Sequence, residues 1–109
     1  MKHITGADKS LLVGDEAATI LLEYAAFLAN RGMADTVEIE SLTKTGERSS
    51  AIFLLNDGVS LVAESTHSDV EEPDNTVAVD YMREAMARGG VSRHAIAGDP
   101  GDFGTGSDD

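Results

Sequence analysis

The sequence predicts an α+β fold: a two-layer sandwich in which an antiparallel meander of three to four strands carries two helices packed on one face, in the order (β)-α-β-β-β-α. Three observations lead there. A long apolar run with helical spacing follows Gly14, three short strand-like runs separated by turn residues follow it, and Pro73-Asp74-Asn75 opens a second run of helical spacing. At 109 residues the chain fits one domain with one core. That domain is expected over residues 1–97, with a Gly- and Asp-rich acidic tail over 98–109.

Residues 2–5 and Ser10 to Val13 are expected to add a strand or a hairpin ahead of the first helix. Asp15 is the expected N-cap, because its carboxylate can accept a free backbone N–H and complement the helix dipole. The helix is predicted from Glu16 to Arg31, stopping at Gly32. Ile20, Leu21, Tyr24, Phe27, Leu28 and Arg31 share one face, yet Ala17, Ala18, Leu22, Ala25, Ala26 and Ala29 carry apolar character most of the way round. Such a helix is covered on more than one side, or its alanine-rich flank meets a second copy.

Thr36 to Leu42 alternates, with Val37 and Ile39 inward and Glu38 and Glu40 outward, so this strand shows one face to water. The turn Thr43-Lys44-Thr45-Gly46-Glu47 follows. Ala51 to Leu55 is apolar without alternation and is expected to lie centrally with both faces covered. Asn56-Asp57-Gly58 then suits a tight hairpin into a third strand, Val59 to Ser65.

The acidic connection Thr66 to Asn75 leads into a helix from Thr76 to Arg88, ended by Gly89-Gly90. Val77, Ala78, Tyr81, Met82, Ala85 and Met86 form its expected buried face, and Asp80, Arg83, Glu84 and Arg88 its wet one. Val91 to Ile96 is too short to assign. The tail from Gly98 holds one aromatic among Gly and Asp, so it cannot bury enough surface to offset its ordering entropy and is expected to be disordered.

Charge is the most telling feature of the composition. No Lys or Arg occurs from Ser49 to Met82, while Asp57, Glu64, Asp69, Glu71, Glu72, Asp74 and Asp80 do; the tail adds Asp99, Asp102, Asp108 and Asp109. These eleven acids nearly match the whole net charge of −12, which leaves the remainder close to neutral. Such an excess repels nucleic acid and anionic membranes over a Debye length of roughly 8–10 Å, so direct binding to either is not expected. Basic protein surfaces, cations and salt tolerance remain as reasons for it, beside a genome-wide compositional bias. The absence of cysteine excludes disulfides and thiolate metal sites. The first residues lack the long apolar region of a signal peptide, and the longest apolar run, Tyr24 to Ala29, is far short of a membrane span. The protein is therefore expected to be cytoplasmic.

Ser65-Thr66-His67-Ser68-Asp69 contains the residue types of a hydrolase triad, but triad members normally come from separate elements so that they converge in line. A local loop role for these side chains is favoured. His67, Asp69, Glu71, Glu72 and Asp74 form an oxygen-rich cluster of the kind hard cations prefer, although Pro73 breaks the spacing of a calcium loop and no glycine follows. No glycine-rich phosphate cradle sits between a strand and a helix. Arg83, Arg88, Arg93 and His94 suit the dipole at the end of the second helix.

With no catalytic constellation and no cofactor site, the expected function is that of a non-catalytic interaction protein, a homodimer or a binder of a basic protein surface. Its candidate interaction loop is Glu64, His67, Asp69, Glu71 and Glu72. Two alternatives stand beside this reading. One is a small-ligand or cation-binding domain, or a hydrolase, that uses the acidic loop of residues 64–74. The other is a nucleic-acid mimic whose carboxylates occupy a DNA- or RNA-binding protein.

Overall fold

The structure is a computed structural model, and it describes residues 1–89. The expected domain end at residue 97, the tail, Arg93 and His94 lie outside the described residues. The fold is α+β, with elements β1 (Lys2–Gly6), β2 (Lys9–Val13), α1 (Asp15–Asn30), β3 (Asp35–Leu42), β4 (Arg48–Leu55), β5 (Val62–Ser65) and α2 (Thr76–Arg88). All strand pairings are antiparallel, and the sheet runs β4-β3-β2-β1-β5.

The N-terminal segment forms a full hairpin, which occupies the middle of the sheet. Its two-residue turn is Ala7-Asp8, both left-handed at φ 52° and 64°, the geometry that matches the twist of the flanking strands. Ile4 is buried at its centre, opposite Leu11 on β2 and Ala63 on β5. β3 and β4 form a second hairpin with eight consecutive pairs from Asp35↔Leu55 to Leu42↔Arg48. The two hairpins share only the pair Leu12↔Leu42 and then diverge.

Three expectations about the strands are corrected. β4 is an edge strand, not a central one: Phe53 and Leu55 turn toward the core, whereas Ile52 and Leu54 remain 72% and 56% exposed. Its apolar run serves one covered face and one open face. The Asn56 turn forms, with the Gly58 N–H donating to Asn56 Oδ1 and the Val59 N–H to the Asn56 carbonyl, but no β4–β5 hairpin follows it. β5 instead crosses to the far edge and pairs with β1, where Ala63 faces Ile4 and Leu61 packs close over Gly6.

α1 packs on β1, β4 and β5 and also against α2, so its broad apolar surface is covered from two sides. Ala17, Ala18, Ile20, Leu21, Tyr24 and Leu28 are buried with Val13, Val37, Ile39, Leu55, Val79, Met82 and Ala85. Burying a side chain the size of Leu contributes about 1.5–3 kcal/mol, so this single cluster dominates stability. Gly14, not Asp15, is the N-cap of α1; Asp15 is its first helical residue and pairs with the Met1 ammonium group at 2.9 Å, which holds its carboxyl below the usual carboxylate range. The helices end as expected at Gly32 and Gly89, both left-handed, with the Met33 N–H returning to the Leu28 carbonyl. Val77 is a further correction. It is 84% exposed, because α2 buries Val79, Met82 and Ala85 and turns Val77 outward beside β3.

Candidate functional site

Where α1, β3 and α2 meet, Asp35 accepts hydrogen bonds from two phenol hydroxyls and a backbone N–H. The Tyr24 and Tyr81 hydroxyls both donate to Oδ2 at 2.6 Å, and the Thr36 N–H donates to Oδ1 at 2.8 Å. Asp35 is 4% exposed and Tyr24 fully buried. Burial first, and the Asp35 carboxylate second, push the Tyr24 phenol well above its ordinary range. Short bonds from two phenols to one buried carboxylate fix the relative placement of the three elements.

The five residues of the candidate interaction loop do not form one cluster. Glu64 lies on β5, paired with His3 on the face of the sheet away from the helices. His67, Asp69 and Glu71 are exposed along the connector between β5 and α2. Glu72 turns back to the start of α1, where a Cβ at Gly14 would stand 2.7 Å from its Oε1. Only glycine at 14 admits this approach, and the carboxylate complements the positive end of the helix. Asp74 caps α2 from two residues away: the Thr76 N–H and hydroxyl donate to its Oδ1 at 2.9 and 2.7 Å and hold its carboxyl below the usual range. Among the described residues, no three His, Asp or Glu side chains are grouped as a metal ion requires. The triad-type residues are likewise apart in their bonding, Ser65 accepting from Lys2 Nζ and Ser68 from the Val70 N–H.

Two other features stand out, and both are strand edges. Along β3, the Leu42 position meets β2, and two residues on, the Asn75 side chain takes the place of a strand: the Glu40 N–H donates to Asn75 Oδ1, and Asn75 Nδ2 donates to the Glu40 carbonyl, each at 2.8 Å. Backbone groups alternate in direction along a strand, so Glu38 and Thr36 point to the same side as Glu40, while Val37 and Ile39 bond to β4. Beyond Asn75 this edge opens into a groove of about 450 Å³, walled by Thr36, Glu38 and Glu40 on one side and by Asp74, Val77 and Tyr81 on the other. The second edge is the outer side of β4, with which no strand pairs among the described residues. It borders a cleft of about 560 Å³ that runs between Phe53 and Leu54 and the Gly6, Lys9 and Leu11 positions of the first hairpin, closed below by Leu61.

The sequence marks Glu38 and Glu40 only as outward strand residues and Asn75 only as part of a helix start. Nothing local shows that Asn75 reaches a strand 35 residues away. Among the described residues, no helix is long and apolar enough to cross a membrane. No family model matches the chain, nor does any curated protein or solved structure.

Proposed function

We propose that this is a non-catalytic interaction protein that self-associates through β4. The observation that carries the reading is the exposure of Ile52 (72%) and Leu54 (56%) side by side on an eight-residue edge strand. Soluble proteins blunt such edges with lysine, proline, bulges or inward charges. β4 has none of these between Ser49 and Leu55, and its unbroken pairing with β3 leaves no bulge.

A second copy is the occupant that suits this edge. The chain carries a net charge of −12, so two copies repel over most approaches, but Arg48 to Leu55 contains no acidic residue. Antiparallel pairing about a two-fold axis centred on Phe53 sets Ile52 of each copy opposite Leu54 of the other, on the same face. The backbone groups of Ser50, Ile52 and Leu54 gain partners, and the exposed side chains leave water together. The acidic connector stays outside the pairing and free to meet other molecules. Amide exchange at two concentrations tests this. In a dimer the Ser50, Ile52 and Leu54 amides exchange slowly in concentrated solution and quickly on dilution, whereas rates independent of concentration contradict it.

A further inference from the structure

We infer that the groove between β3 and α2 binds a short, extended, basic segment of a partner protein, which adds to β3 as a strand and sets Lys or Arg side chains against Glu38, Glu40 and Asp74. This extends the interaction reading to a second surface and does not depend on the β4 dimer.

The backbone geometry comes first. Asn75 satisfies the Glu40 N–H and carbonyl, and the Thr36 N–H is taken by Asp35 Oδ1, so the groups turned into the groove are the Glu38 N–H, the Glu38 carbonyl and the Thr36 carbonyl. Among the described residues none of these three has a partner on that side. An open strand edge running beside a helix is the arrangement in which an extended peptide adds a strand. Asn75 closes one end, and at about 3.3 Å per residue the open part of β3 engages roughly three residues of such a segment.

Side chains then choose the occupant. Glu38 and Glu40 stand on the open face of β3, and Asp74 faces them from the start of α2, while no Lys or Arg lines the groove. An acidic segment is repelled there and a neutral one gains only the backbone pairing, whereas a basic one also meets the carboxylates of Glu38, of Glu40, which accepts from Ser50, and of Asp74, which accepts from Thr76. The wall is not merely polar. Val77 is 84% exposed beside Ala78, and both offer an apolar seat for the aliphatic stem of Lys or Arg or for an intervening small residue. The two requirements, alternate cations and backbone pairing, separate this groove from the acidic connector, which has charge but no open strand.

The test is a titration of the isotope-labelled full chain with an end-blocked hexapeptide alternating Arg and Val, beside its counterpart with Glu in place of Arg. The Arg peptide is expected to move the Thr36, Val37 and Glu38 amide signals, to slow exchange at the Glu38 N–H, and to bind less tightly as salt rises. The E38Q/E40Q variant replaces two exposed carboxylates without disturbing the core, and is expected to weaken binding roughly tenfold at an unchanged unfolding midpoint. Leu54→Asn, a neutral change that stands across from Thr36 and not from Glu38, disrupts the β4 edge and leaves peptide binding unchanged, so failure of the dimer and failure of the groove are read separately. Equal binding of the Glu peptide, shifts spread along residues 64–72, or no shift at Thr36 to Glu38 overturns the inference. So does contact in the free chain between Thr36 or Glu38 and Val91 to Ile96, which makes the groove a seat for the chain's own segment.

Discussion

The Asn75 side-chain amide pairs with both backbone groups of Glu40, donating one 2.8 Å hydrogen bond and accepting another. A side chain thus terminates a β-ladder, and the start of α2 is locked to β3 at that point. Asn75 is only 8% exposed, so water reaches the pair poorly. Asn75→Ala leaves two backbone groups without their partners and is expected to cost about 2 kcal/mol, read as a lower urea midpoint. Asn75→Asp keeps the acceptor but loses the donor, and should destabilise as well; a midpoint equal to that of the parent would show that the pair contributes nothing.

Tyr24 and Tyr81 converge on Asp35, and removing either hydroxyl by Phe is expected to cost about 1–2 kcal/mol, with the double variant losing less than the sum because both act on one oxygen. The pH dependence follows from Tyr24. Its phenol is raised in the folded state, so the stability it confers is complete below the ordinary phenol value of 10.0 and is lost as pH climbs beyond it. In Tyr81→Phe, Tyr24 is the sole tyrosine of the chain. Its phenolate absorbance should then appear together with unfolding in alkali, whereas ionisation near pH 10 in a folded chain contradicts the assignment.

Ala7 and Asp8 occupy left-handed positions that suit Asn and Gly far better. A left-handed alanine costs about 1 kcal/mol. Replacing the pair by Asn-Gly is therefore expected to raise stability by about 1–2 kcal/mol with no change in the sheet, measurable by thermal melting. A loss of stability would mean that the turn differs from the one described.

Helical periodicity made α1 and α2 legible in the sequence to within a residue at each end, since Gly32 and Gly89 end them unmistakably. The alternation of Val37, Glu38, Ile39 and Glu40 likewise gave β3 and its two faces. The place of each strand in the sheet was not legible. Ala51 to Leu55 reads the same whether both faces are covered or one face awaits a partner, because local sequence records apolarity and not what covers it. The Asn56 turn forms in either topology, and only the packing of Ala63 and Leu61 against the first hairpin sends β5 to the far edge. The acidic connector was visible as charge, while the groove needed Asn75 and Glu40, distant in sequence, to be seen together. Val77 is different: it is expected on the buried face, but with Val79, Met82 and Ala85 buried it lies about 140° round the helix from Met82 and faces water.

Sedimentation of the full chain at micromolar concentration, compared with Ile52→Arg and Leu54→Lys, probes the role of β4 most directly. Both side chains are exposed in the single chain, so neither substitution should harm the fold, which unfolding midpoints can verify. Self-association through β4 gives a dimer for the parent and monomers for both variants, because each copy would bury an unpaired cation against Leu54 or Ile52 of the other. A parent that sediments as a monomer, or variants that remain dimeric, would contradict it.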